Sequence, residues 1–155
     1  MTLKKTMILS LLIGAVSLQA QSGEKYRTRL SPVPALIVTG QRATNVQPAT
    51  VAGVGSSAAT LAGRKLTVTG TFEKMASQAT EAHLFLSPIT GARGDQPPVF
   101  DLTVSKTGDG TSGTIAGAFD LTPQQVDALK KGRFYVQIHS VGTPTGHLFG
   151  WLLKQ

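Results

Sequence analysis

Only one stretch of this chain reads as a helix, and that scarcity constrains the fold more than any other feature. Over residues 122–132, Thr122 offers an N-cap, Pro123 fits the first helical position and Gln125 completes a capping box. Val126 and Leu129 then share a side, Lys130 and Lys131 complement the C-terminal dipole, and Gly132 ends the helix. The remaining apolar residues fall in short runs bounded by glycine, proline and polar turns. With 17 glycines, 8 prolines and only 15% charged residues, the core has to be built from strands.

Strands are expected at residues 25–30, 58–62, 65–72, 81–86, 99–104, 113–120, 133–139 and 147–153. Gly63-Arg64 makes a tight link, Ser87-Pro88 ends a strand, and Gly108-Asp109-Gly110 forms a hairpin turn because Gly and Asp tolerate positive φ. Residues 31–57 read as a long irregular connection with a possible short strand at 35–39. The helix should plug one end of a sandwich, between two late strands. No internal repeat is visible, and residues 21–155 form one domain.

Strand parity picks out candidate functional residues. Ala82, Leu84 and Leu86 oppose Glu81, His83 and Phe85; Phe134, Val136 and Ile138 oppose Tyr135, Gln137 and His139. In the last strand, Leu148, Gly150 and Leu152 oppose His147, Phe149, Trp151 and Leu153. All three histidines therefore lie opposite the plainest core stripe. A symmetric closing hairpin, with its loop near residues 140–146, would set His139 and His147 face to face at about 5 Å between Cβ atoms.

The N-terminus carries an export pattern. Lys4 and Lys5 precede an apolar stretch over residues 7–18, broken only by Ser10, Gly14 and Ser17. Its length suits a signal-peptide core and falls short of the about 20 residues that span a bilayer. Residues 1–20 are thus expected to be a secretory signal cleaved near Ala20, with Ser17 the alternative, and the product is periplasmic or secreted. There is no second long apolar run, so no membrane span is expected. The chain has no cysteine, which excludes disulfides, thiolate metal sites, thiol catalysis and a lipid-bearing N-terminal Cys.

The full chain carries +7, and loss of Lys4 and Lys5 leaves 13 basic against 8 acidic residues, or +5. The charges are scattered rather than interleaved with aromatics, so nucleic acid is not an expected partner. Lys25, Arg27 and Arg29 share one face of the first strand, most simply a solvated one; an anionic glycan or lipid headgroup is the alternative. Arg93-Gly94-Asp95 matches an integrin-binding tripeptide, but in a Gly-rich loop it reads as a turn.

Tyr135-Val136-Gln137-Ile138-His139-Ser140, followed by Pro144-Thr145-Gly146-His147-Leu148-Phe149-Gly150-Trp151-Leu152, resembles the closing hairpin of the CHRD domain, a family named for chordin and widespread in bacterial exported proteins. Ala82-His83-Leu84, Val99-Phe100-Asp101-Leu102, Leu121-Thr122-Pro123-Gln124-Gln125-Val126 and the opening Tyr26 to Pro34 resemble its other segments. The resemblance implies an immunoglobulin-like β-sandwich, distantly similar to copper–zinc superoxide dismutases, with no settled activity. Where the family pattern carries a second histidine, a Glu and an Arg, this chain has Phe85, His147 and Phe149.

Three readings of function follow. The first is a non-catalytic binding or structural module, whose aromatic face of Tyr135, Phe149 and Trp151 meets a protein or glycan partner. On the bland version of it, residues 31–57 simply cover that face. The second is copper or zinc binding by His83, His139 and His147; otherwise no cofactor is expected. Catalysis is the third: dismutase chemistry needs a fuller ligand set, neighbouring His139 and Ser140 point to opposite strand faces, and there is no nucleophile elbow or phosphate-binding loop.

Overall fold

The computed structural model describes residues 23–32, 52–93 and 96–155. The export signal, its cleavage site and the possible strand at 35–39 lie outside the described residues. Among these described residues, nine strands and one helix follow in the order β1 (Glu24–Pro32), β2 (Val54–Ala62), β3 (Lys65–Glu73), β4 (Ala79–Leu86), β5 (Phe100–Thr107), β6 (Ser112–Asp120), α1 (Pro123–Lys130), β7 (Phe134–Ser140), β8 (Thr143–Trp151) and β9 (Leu153–Lys154). All-β with one short helix is the architecture observed. No helix among the described residues is long and apolar enough to cross a membrane.

The expected sandwich is corrected to a closed barrel of eight strands. Pairing runs β2-β3-β6-β5-β4-β7-β8-β1, and β1 pairs back onto β2, with β9 adding a short continuation beside β1. Two strands turn the corners that close the ring. In β5, residues 100–102 pair with β4, and residues 103–107 pair with β6. In β1, residues 24–30 pair with β2, whereas Ser31 and Pro32 pair with Phe149 and Leu148 of β8. Closure satisfies edge N–H and C=O groups that an open sheet would leave unpaired.

The long connection is shorter than residues 31–57. Ser31 and Pro32 belong to β1, and β2 starts at Val54 instead of Ala58. The early part of β2, Val-Gly-Ser-Ser, has little apolar signal of its own. It is extended because it is hydrogen-bonded on both sides, Gly55 lying between Leu30 and Phe72. The turns fall where expected: Gly63 links β2 to β3 at φ 61°, and Gly108 and Gly110 turn β5 into β6 at φ 57° and 82°.

Alternation along the strands fills the barrel. Leu66, Val68 and Phe72 of β3, Ala82 and Leu84 of β4, Val136 and Ile138 of β7, and Leu148 of β8 form the core with Tyr26 and Leu30 of β1. Each such large side chain contributes roughly 1.5–3 kcal/mol by leaving water. The basic residues of β1 behave as a solvated stripe, Lys25, Arg27 and Arg29 being exposed while Tyr26 and Leu30 are buried.

Helix α1 carries both halves of the expected capping box: Gln125 N donates to Thr122 Oγ1 at 3.2 Å, and Thr122 N donates to Gln125 Oε1 at 2.9 Å. Ala128 and Leu129 are its buried face, with Val126 only partly buried. Leu121 N donates to Arg64 O, and Lys130 pairs with Glu24, so the helix covers the barrel end beside the β2–β3 turn. The Tyr26 hydroxyl, then Lys154 and Lys130, hold the Glu24 carboxyl down to about pKa 2 and tie that end together.

Candidate functional site

Strand β7 is buried on both faces along its whole length. Phe134, Val136 and Ile138 face the barrel core, and the expected second face of Tyr135, Gln137 and His139 is covered too. Part of the cover comes from the loop that follows β4. The Ser87 hydroxyl lies between the carbonyls of Ile89 and Ala92 and accepts from Ile89 N, while Arg133 Nε donates to Ser87 O at 2.7 Å. This knot folds the loop back and delivers Arg93 over the outer side of β7 and β8.

There the aromatic residues form one continuous group. Phe85 stacks on Tyr135 with ring centroids 5.0 Å apart, and Tyr135 meets Trp151 at 4.9 Å and Phe149 at 5.7 Å, edge to face. The Arg93 guanidinium lies 4.8 Å from the Phe149 ring centre and 5.9 Å from that of Tyr135. Its Nη2 donates to Gln137 Oε1. Phe149 and Trp151 remain half-buried and border a cleft of about 680 Å³ that Arg29, Arg93, Thr28 and Ser31 also line.

Arg93 stands out in the sequence only as part of a tripeptide; Gly94 and Asp95 lie outside the described residues. Its guanidinium is turned inward, and its Nε and Nη1 are buried without a hydrogen-bond partner among the described residues. A buried donor left unsatisfied costs about 1–3 kcal/mol, more when charged. No local signal in the sequence marks this role, because it depends on β4, β7 and β8 meeting the loop.

The three histidines are not brought to one point. His83 and His139 adjoin, with ring centroids 5.1 Å apart. His83 Nδ1 faces Asp101 Oδ1 at 2.9 Å across the β4–β5 pair, and its Nε2 faces Glu81 Oε2 at 3.3 Å. His139 Nδ1 donates to Pro144 O at 2.7 Å, and its Nε2 receives the Gln137 amide N–H at 3.3 Å. Burial, first of all, pushes the His139 pKa below its ordinary value.

His147 is held in a separate network. The β7–β8 pairing breaks between Ile138 and Ser140, and the turn is Val141-Gly142 in place of a loop over residues 140–146. Ser140 therefore pairs with Thr143, and the expected His139–His147 pairing is lost. His147 Nδ1 accepts from the Ser140 and Thr143 hydroxyls at 2.9 and 2.8 Å, and Nε2 donates to Ala52 O at 2.6 Å. Both of its nitrogens are thus occupied. Among the described residues, no group of three or more His, Cys, Asp or Glu side chains is arranged to hold a metal ion.

Ser140 and His147 form a serine–histidine hydrogen bond that parity reasoning missed. Ser140 is fully enclosed and His147 nearly so, and the Ser140 hydroxyl also meets Ser77 and Thr143. With no opening to a substrate, the pair is a staple between the β7–β8 turn and the entry to β2.

A family model for the CHRD domain matches residues 36–152, more than half of the chain. It spans β2 through β8, including the hairpin that carries the aromatic face and the histidines. Neither the curated proteins nor the solved structures contain a significant match. From the extent of that family match, the chain belongs to the CHRD domain family.

Proposed function

We propose that this protein is an exported, non-catalytic binding module that works through the outer side of β7 and β8. The observation that carries the reading is the cleft beside Phe149 and Trp151, with two half-buried aromatic rings and Arg93 at its wall. Its volume of about 680 Å³ falls within the roughly 300–1,000 Å³ of small-ligand sites. Tyr135 serves as the buried support of that face, and Phe149 and Trp151 as its contact residues. Export is supported by Lys4, Lys5 and the apolar stretch over residues 7–18.

A non-catalytic role is supported by the one serine–histidine pair on the site strands being enclosed and facing no cleft. The reading needs no cofactor. Copper or zinc binding is the weaker alternative, because His147 spends both nitrogens on hydroxyls and a carbonyl. Trp151 is the sole tryptophan, so its emission reports this face directly. The expected result is that at least one member of a panel of neutral and acidic oligosaccharides shifts the emission, and that Phe149→Ala abolishes the shift. An emission spectrum that no saccharide moves would refute the reading. N-terminal sequencing of protein recovered outside the cytoplasm should begin near Gln21.

A further inference from the structure

We infer that the cleft beside Trp151 takes an acidic sugar, a uronic acid whose carboxylate is received by the exposed Arg29 and drawn in by the charge of Arg93 at the cleft wall. This rests on the binding-face reading above and names its ligand class. Among the described residues, two guanidinium groups line the cleft and no Asp or Glu does, so its charge complements an anion. Arg93 Nε and Nη1 are buried and lack partners among the described residues, so no carboxylate there offsets the charge it places at the cleft wall. Phe149 beneath the guanidinium and Gln137 at its Nη2 fix its plane, and the Ser87 knot fixes the loop that carries it. That charge is therefore set in place before a ligand arrives.

Arg29 is exposed on β1 and makes no ion pair among the described residues. Guanidinium suits a carboxylate better than an ammonium would, because its donors lie in one rigid plane. The rest of the lining fits the remainder of a sugar acid. Thr28 and Ser31 offer hydroxyls, and the half-buried Trp151 and Phe149 offer apolar surface for the C–H side of a pyranose. The size of the cleft suits a short oligosaccharide rather than a protein interface, which would bury about 800 Å² per partner.

The test is isothermal titration of the folded protein with tri-galacturonate, with its neutral galactose counterpart and with dextran sulfate. Tri-galacturonate should bind, and Arg29→Gln and Arg93→Gln should each weaken it at least tenfold. Lys106→Gln, the same charge change away from the cleft, should leave it unchanged. Arg93→Gln can disturb its loop, so Arg29→Gln, at an exposed position, is the deciding variant. Equal affinity in wild type and Arg29→Gln overturns the inference, as does binding of dextran sulfate without tri-galacturonate. Tight binding of the neutral trimer overturns the acidic-sugar claim but leaves the binding face standing. If no saccharide binds or moves Trp151 emission, both readings fall together.

Discussion

Gly150→Ala probes the closed ring at the seam where β8 meets β1. A Cβ at Gly150 would lie 2.2 Å from Thr28 Oγ1 and 2.4 Å from the Arg29 carbonyl oxygen. The hydroxyl can rotate away, but the carbonyl is β1 backbone. To restore an ordinary carbon–oxygen contact of about 3.3 Å, β1 must retreat by roughly 0.9 Å. Overpacking of this kind costs about 1–3 kcal/mol. With a urea dependence of about 2 kcal/mol per molar, the unfolding midpoint should fall by about 0.5–1.5 M. Amide exchange should quicken at residues 28–31 and stay unchanged in β3 and β6, because the strain is local. Thr28, Arg29 and Gly150 all line the cleft, so ligand affinity should fall in the same variant. A midpoint within about 0.2 M of wild type, with β1 amides equally protected, would show that β1 does not close against β8, and the reasoning from the seam would fail.

Two further outcomes follow from the histidines. His147→Ala strips the Ala52 carbonyl, Ser140 and Thr143 of a buried partner, so it should cost about 2–4 kcal/mol and lower Tm by about 10 °C in calorimetry; a loss below about 0.5 kcal/mol would dismiss the staple. His139 has a folded pKa pushed below its ordinary 6.5 by burial, so below that pH the unfolded chain binds more protons than the folded one. Stability should therefore be fully present above pH 6.5 and decline as pH falls toward the folded pKa, by at most about 1.4 kcal/mol per pH unit. His139→Gln should flatten this slope in urea titrations at pH 5 to 7, and an unchanged slope would contradict the assignment.

Much of the architecture was legible because it rests on local physics. The helix over residues 122–132 is written in Thr122, Pro123 and Gln125, whose side chains and backbone satisfy the orphan groups of the first turn within four residues. Strand parity placed Tyr135, Gln137 and His139 opposite Val136 and Ile138 because a strand alternates with period two whatever surrounds it. The solvated face of Lys25, Arg27 and Arg29 followed from the same rule. The start of β2 was not legible, since Gly55 and Ser56 acquire their conformation from two flanking strands.

The hairpin and the site mark where local rules stop. Parity could place His139 and His147 on strands, but not predict that pairing slips between Ile138 and Ser140, because one irregular turn moves every partner beyond it. Closure of the barrel depends on β1 and β5 each dividing their hydrogen bonds between two neighbours, a choice made only when all eight strands meet. Arg93 belongs to the site for the same reason. The Ser87 knot folds its loop back onto the outer side of β7 and β8, where it meets Gln137, 44 residues further along the chain. By itself, then, the sequence determined the elements, their faces and the aromatic residues available for binding. Tertiary structure alone decided which histidines meet, where the barrel closes and which cation stands over the aromatic face, because those contacts join residues that no local period relates.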